Sequence, residues 1–477
     1  MVIKKKLPKI FIPPQISIEK ISDNPLFALS TIDGRDKRLT RPIAQYFSEF
    51  ATFTTRAELS GKYLIALDVF GGILPRKLKK EEREELGTIG YVMSEKDCEE
   101  IKNFEKKTNH DVVALRLFLK RKFSDTTLSD LAEFIDIGLT SDDKNNLTLR
   151  LNLMRATNAI IIPVLDKIVN QLDLISLEHA DTSMQARTHG QAAGPTTFGK
   201  EIAVFVQRLK RQIEKLQEQQ LTGKLNGAVG NWNSMRYVFP EKNWLAFSRE
   251  FISSLGLNPN EHTTQINPYD DVVEYLQNLA RINNILISLD GDIWHYIADN
   301  WIIQIPKEGE SGSSAMPQKV NPIDFEKSEG NLEEANDLID GLSKRLPRSR
   351  LQRDLRDSTQ GRNIGSILGY SLVGYASLLS GLSKIKVNKN EMKNVLDSDW
   401  TILSEAVQIY LRSKTNMKDP YDALKKLVRG AHMTSVEWKN VIDALPIDDD
   451  IKKHFRNLTP EVYMGYAKEL SRSSARK

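Results

Sequence analysis

Apolar residues recur in alternating steps of four and three through the middle of the chain. Leu147, Leu151, Met154, Ile161, Leu165, Ile168, Leu172 and Ile175 form one such seam, with Asn158 on it. That period belongs to a helix packed along its length against others. Pro163 removes a main-chain donor and predicts a kink in it. A second seam, Val272, Tyr275, Leu279, Ile282, Leu286, Leu289, Ile293 and Tyr296, runs for about 37 Å at the helical rise. A third helix is predicted over 197–220, with Ile202, Phe205, Leu209, Ile213 and Leu216 on one face and Thr196 as its cap. A fourth starts at Asn321 and reaches about Leu346. A narrow stripe cannot be buried alone, so these helices predict a bundle whose seams continue across subunits.

Upstream, 42–72 and 94–122 read as helical, separated by Gly71-Gly72 and the charged run Arg76 to Glu85. Downstream of about residue 380 the helical patterns shorten, broken by Asp419-Pro420, Gly430 and Pro446. The expectation is an all-α protein of three helical domains. Residues 1–129 form an N-terminal domain with a loose Pro- and Lys-rich arm over 1–25, 130–380 the central long-helix bundle, and 381–477 a small C-terminal domain.

Composition narrows the partners. A hydrophobic content of 40% supports a large core, and 67 basic against 63 acidic residues leave no global field for nucleic acid or membrane. A small molecule or another protein is the expected partner. No uninterrupted apolar run looks long enough to span a bilayer, and Lys4 to Lys6 are followed by Pro8, Pro13 and Pro14 rather than by a secretory segment. The single cysteine, Cys98, excludes an internal disulfide framework and suits a reducing, cytoplasmic setting. Neither HExxH nor paired CxxC spacing occurs, nor a phosphate loop between strand and helix, so no metal or organic cofactor is expected.

The candidate chemistry lies in a few polar runs. His110, in Thr108-Asn109-His110-Asp111, has an amide and a carboxylate beside it, and Asp111 could fix its tautomer; a plain helix cap is the alternative. His189, in Arg187-Thr188-His189-Gly190-Gln191, should sit on a loop at the end of the bundle. His179, His262, His295, His432 and His454 have no convergent polar neighbours in the sequence. Arginines crowd from Arg348 through Arg353 and Arg356 to Arg362, either an anion pocket or a solvated helix laced with ion pairs. Residues 307–318 mix Gly, Ser and charge without an apolar period, which predicts a mobile loop able to close over an anion, or else a plain linker. Pro322 fits the first turn of the helix after it.

The run Gly312-Ser313-Ser314-Ala315-Met316-Pro317-Gln318-Lys319-Val320-Asn321-Pro322 resembles the GSSxMPxKxNP signature of the fumarase/aspartase superfamily. Asp33-Gly34-Arg35, the TNHD run at 108–111, TSDD at 140–143, RTHGQ at 187–191, NGAVGN at 226–231 and TTQI at 263–266 resemble, in order, the adenylosuccinate lyase family. VNPIDFE from Val320 and SEGN from Ser328 are similar to its bacterial branch. The resemblance implies a homotetrameric lyase releasing fumarate from adenylosuccinate and from succinyl-aminoimidazole-carboxamide ribotide. It implies His189 as general acid and Ser313 as base. His110 would orient substrate among Thr108, Asn109, Asp111, Thr140, Ser141, Thr188 and Gln265. Arg35, Arg353, Ser358 and Arg362 would hold the phosphate and ribose end, and Lys319 and Asn321 the succinyl carboxylate. The site would be shared among subunits.

The chain departs from the family pattern at Asp36, where a tyrosine is usual and where a carboxylate facing a phosphate is unfavourable, and at Gln318, Ala192, Asn267 and Tyr269. Argininosuccinate lyase and fumarase share the 312–322 signature but lack the TNHD and RTHGQ runs. A non-catalytic relative keeping only the scaffold would be marked by loss of Ser313, His189 or Lys319, and all three are present.

Overall fold

A computed structural model describes residues 24–309 and 315–473. The N-terminal arm over 1–23 and the centre of the 307–318 loop lie outside these residues. Helices α1 (Lys37–Phe47) and α2 (Glu49–Phe70) divide the predicted 42–72 run at Ser48, whose extended backbone and Oγ, accepting from Ala51 N at 3.1 Å, cap α2. Helix α3 (Lys80–Thr88) follows. The 94–122 run likewise divides into α4 (Glu95–Thr108) and α5 (Asp111–Ser124), because Asn109 adopts a left-handed φ of 49° and His110 is extended.

Helix α2 has apolar residues on two faces. Phe53, Ala57 and Leu64 join α3, α4 and α5 in one apolar cluster, while Leu59, Tyr63 and Leu67 belong to the central one. Its approach to α3 is close: a Cβ at Gly61 would lie 2.1 Å from the Leu86 carbonyl oxygen.

The central bundle starts with α6 (Ser141–Ala156) and α7 (Ile162–Glu178), joined by a π-helical turn over Thr157–Ile161. That turn directly precedes Pro163, so the helix absorbs the proline by widening there. Strands β1 (Ser183–Thr188) and β2 (Gln191–Thr197) form an antiparallel hairpin where the sequence suggested a loop. Helix α8 (Phe198–Glu218) is capped by Thr197, which accepts from Lys200 N at 3.2 Å; the expected cap, Thr196, instead bonds Glu201. After the two-residue strand β3 (Thr222–Gly223) come α9 (Asn233–Val238) and α10 (Trp244–Ser254), and β4 (Asn258–Pro259) pairs parallel to β3. Helix α11 (Asp270–Ala298) is the long spine, followed by β5 (Ile302–Gln304), α12 (Ile323–Arg345), α13 (Arg356–Gly361) and α14 (Ile364–Leu382). Pro322 sits at the cap of α12 rather than in its first turn. The arginine-rich segment is helical only over α13.

Polar groups fix the register of this bundle. Asn283 of α11, fully buried, donates to Asn336 of α12 (3.1 Å) and Ser371 of α14 (3.2 Å), and accepts from Tyr375 of α14 at 2.6 Å. Arg150 of α6 makes a bidentate pair with Asp271 at the start of α11, at 2.8 and 2.7 Å.

Strand β6 (Ile385–Val387) pairs antiparallel with β5. Helices α15 (Lys389–Asp397), α16 (Ser404–Lys414), α17 (Pro420–Val428), α18 (Ser435–Ala444) and α19 (Asp449–Arg456) follow, and a third apolar cluster gathers around Leu403, Leu411, Trp438 and Phe455. Helix α20 (Ala467–Ser473) returns to the bundle, where Lys468 and Arg472 pair with Asp181 at 2.9 and 2.7 Å. The architecture is thus predominantly α-helical, with three small two-stranded sheets among the described residues that the apolar period did not reveal. One helical stretch, Arg356–Leu382, is long and apolar enough by length and composition to cross a membrane, but it is not an uninterrupted apolar run and 72% of that window is buried inside the bundle.

Asp290 is 1% exposed on α11, where it faces Ser328 of α12. Burial pushes its pKa up to about 8, partly opposed by the Ser328 hydroxyl. A raised folded pKa means that the stability it contributes is fully present below the ordinary 3.8 and is lost as pH rises towards 8. Asp290→Asn should therefore flatten the decline in melting temperature between those pH values, and an unchanged slope would contradict a neutral buried acid. Gly61→Ala should destabilise the fold by about 1–3 kcal/mol in urea titration, since the added methyl meets backbone rather than a movable side chain.

Candidate active site

The first group of candidate residues gathers where α2, α5, α6 and α13 meet the N-terminal end of α11, around a cavity of about 330 Å³. Asp111, at the start of α5, accepts from Arg56 of α2 at 2.8 Å. Burial acts to raise its pKa, yet the Arg56 guanidinium holds the carboxyl below its ordinary value. His110 caps α5 by its backbone only; its ring makes no cap hydrogen bond and lies exposed, with Nε2 3.3 Å from Ser141 Oγ. Thr108 supports this corner, its Oγ1 donating to the Phe104 carbonyl and accepting from His110 N. Asn109 supplies the left-handed turn.

Thr140 and Ser141 open α6, held by the Asp143 carboxylate, which accepts from Thr140 N at 2.8 Å. Asp142 is 2% exposed and accepts from Asn267 N at 3.1 Å; burial raises its pKa to about 6, with Lys224 as the largest opposing influence. Gln265 lies in the segment that Thr264 fastens to the arginine-rich run, its Oγ1 donating to the Gln352 carbonyl at 2.9 Å. Arg353, Ser358 and Arg362 all line the cavity, as does Tyr269, whose hydroxyl donates to Asp357 at 3.1 Å. Of the unusual residues, Tyr269 is thus built into the wall, while Asn267 is fully buried and holds Asp142 through its backbone.

The second group stands elsewhere. Thr188 and His189 are exposed at the tip of the β1–β2 hairpin, where His189 (φ 55°) and Gly190 (φ 73°) form a two-residue turn of the type I′ pattern. A Cβ at Gly190 would meet nothing within 4 Å, so the tip projects clear of its own chain. Just behind the tip, Arg187 pairs with Asp299 at 2.5 Å and lies 4.7 Å from the Trp301 ring centroid. Lys319 and Asn321 are at the same end of α11, since Gln304 donates to the Val320 carbonyl at 3.1 Å and Trp294 to Glu326 at 3.3 Å. Ser313 lies outside the described residues. Arg35 is exposed near the first turns of α12, and its neighbour Asp36 is 8% exposed and paired with Lys327 at 2.7 Å. The departure at 36 is therefore a buried carboxylate held by a partly exposed lysine.

Tyr269 and Asp299 flank the two ends of α11, whose 29 residues span about 43 Å. Within one chain the cavity group and the hairpin group do not meet. Among the described residues no set of three His, Cys, Asp or Glu is arranged to hold a metal. Of the other histidines, His179 is buried against Thr182 and Phe198, and His432 lies 3.2 Å from Asp399. Cys98 is buried, and burial raises its thiol pKa to about 11, which leaves it a poor nucleophile. The sequence reading missed Arg56, Asn145, Thr148 and Asp357 as cavity residues. The one available signal was the polar spacing Asn145, Thr148, Asn152 beside the α6 seam.

Residues 58–334 match a lyase family model, and residues 349–464 match the adenylosuccinate lyase C-terminal family. The adenylosuccinate lyase of Haemophilus influenzae is 41% identical over 447 residues, covering 93% of this chain and 98% of that one. That of Escherichia coli K12 is 39% identical over 449 residues, with 93% and 97% covered. Among solved structures, a fumarate lyase from Mesorhizobium sp. BNC1 superposes with a TM-score of 0.72 at 18% identity, over 91% of this chain and 96% of that one. The 3-carboxy-cis,cis-muconate lactonizing enzyme from Pseudomonas putida gives 0.69 at 18%, over 91% and 95%. These two likenesses show a common fold, and the sequence matches show the family: the chain belongs to the adenylosuccinate lyases of the fumarase/aspartase superfamily.

Proposed function

We infer that this chain is an adenylosuccinate lyase, a carbon–nitrogen lyase of AMP and purine biosynthesis. It releases fumarate from adenylosuccinate to leave AMP, and from succinyl-aminoimidazole-carboxamide ribotide to leave its amide. Identity of about 40% along nearly the whole length of such enzymes carries this reading.

The reaction breaks a C–H bond and a C–N bond and forms the C=C of fumarate. Ser313 takes the proton from the succinyl carbon, and His189 gives one to the departing nitrogen. The intermediate carries a second negative charge on its carboxylate, which Lys319 and Asn321 meet with fixed donors. A serine hydroxyl is a weak base in water, so closure of its loop over the substrate has to exclude solvent before it ionises. His110, Ser141, Thr140, Thr108, Asn109, Asp111, Thr188 and Gln265 orient the succinyl and base portions. Arg353, Ser358, Arg362 and Arg35 take the phosphate and ribose. No cofactor enters these steps.

The working unit in this reading is a homotetramer that builds each site from several chains. The separation of about 43 Å along α11 supports it, because His189 and the cavity of one chain cannot serve the same substrate. So does the apolar surface on bundle elements: Leu174, Leu177, Trp294 and Ile303 are 67%, 41%, 42% and 45% exposed. A single cysteine suits a cytoplasmic setting.

Purified protein given adenylosuccinate should release fumarate, followed by ultraviolet absorbance. His189→Ala should lower kcat by about 100-fold or more with unchanged melting, because the side chain stands clear of its own fold. Failure of the wild-type protein to release fumarate at saturating substrate would overturn the assignment. Separately, co-refolding His189→Ala with Arg353→Ala should recover activity that neither variant has alone. No recovery in the mixed tetramer would refute sites shared between chains.

A further inference from the structure

The cavity contains more polar groups than its phosphate end uses. Its inner part lies between α2 and α6, and α6 presents Asn145, Thr148 and Asn152 to it from one helical face. Thr148 is 4% exposed, and its hydroxyl has no hydrogen-bond partner. Asn145 Oδ1, Arg56 Nε and Asp357 Oδ1, from three helices that line the same cavity, are also unpartnered. Buried polar atoms are nearly always satisfied, so four unsatisfied ones around one space mark a surface shaped for a polar ligand.

The remaining wall says what kind. Tyr46, Phe47, Phe53 and Leu149 give it flat and apolar sides. The Arg56 charge is already engaged by Asp111, so what α6 offers is the Asn145 amide and the Thr148 hydroxyl beside the Asp142 carboxyl, which accepts from Asn267 N. Arg353 and Arg362, on or beside α13, are less buried than Thr148 and stand towards the open side. Cations on the more exposed side, and an amide, a hydroxyl and the Asp142 carboxyl between apolar walls inside, match a nucleotide whose phosphate stays near the mouth and whose heteroaromatic ring points inward.

We propose that this inner face reads the ring of the substrate, with Asn145 and Thr148 setting the preference between the purine and the imidazole-carboxamide compounds. The proposal rests on the function inferred above. Those two substrates share the ribose phosphate and the succinyl arm and differ only in the ring, so a group that touches the ring changes their ratio, whereas a group that supports the fold or the phosphate changes both together.

The test is kcat/KM of wild type, Thr148→Val and Asn145→Ser on each of the two substrates. Thr148→Val keeps the shape and deletes a hydroxyl that bonds nothing in the protein, so its melting temperature should equal or exceed that of wild type. Each variant should lose about threefold or more on at least one substrate, the size of one neutral hydrogen bond, and the ratio between substrates should move by a similar factor. A ratio constant within about twofold in both variants, with wild type active on both substrates, would overturn the ring-reading role alone. A wild type inactive on both would overturn the function on which it rests.

Discussion

A single buried carboxylate ties the candidate site to the scaffold. Asp143 is completely buried, accepts from Lys224 at 2.7 Å and from Asn226 N at 3.0 Å, and closes the first turn of α6 through Thr140 N. Lys224 is equally buried, so removing either partner leaves an uncompensated charge at a cost of about 3–5 kcal/mol. Three segments far apart in sequence depend on this junction. The start of α6 carries Thr140 and Ser141; the NGAVGN loop is pinned beside it; and Asn226 in turn holds Thr263 at 2.8 Å, which fixes the segment containing Gln265.

The same helix explains why the cavity is so polar. Along α6, Asp142, Asp143, Lys144, Asn146, Arg150 and Asn152 are all buried, yet the apolar seam Leu147, Leu151 runs between them. Lys144 pairs with Asp136 and Arg150 with Asp271, so the charges are compensated on the sides that face protein. On the side that faces α2, Arg155 pairs with Glu58 and Asn152 accepts from Thr55, and only Asn145 and Thr148, beside the cavity, keep unpartnered oxygens. A helix with polar residues spread around it has a weak amphipathic signature, and only its apolar partners reveal that it is central.

The long helices could be read from sequence because their period is enforced over many turns. The breaks between them depend on single residues: Ser48 as a cap, Asn109 in a left-handed conformation, a π turn ahead of Pro163. The hairpin carrying His189 was read as a loop because Ser183–Thr188 and Gln191–Thr197 lack the alternation of a half-buried strand, and its register shifts between Gln185 and Arg187. Motif order supplied the candidate site residues, but it could not say which of them one chain brings together. It also left Asp36 looking like a misplaced charge facing a phosphate. Lys327, 291 positions away, resolves it, and a pairing over that distance leaves no local trace. Arg56 was invisible for the same reason, since its partner Asp111 lies 55 residues on.

Helix α20 has a consequence for the order in which the molecule can be made. It lies against the foot of the hairpin that carries His189, with Arg472 and Lys468 gripping Asp181 and the Ser471 hydroxyl 3.3 Å from that of Thr197. These partners are separated by 291 residues for Asp181 and Arg472. On a ribosome, the central helices emerge and can begin to associate well before α20 exists. The foundation of the hairpin is therefore finished late, by a contact of high sequence separation that is slow to close. A nascent chain holds an incompletely seated hairpin through most of its synthesis, and chemical competence comes after the core has gathered rather than with it.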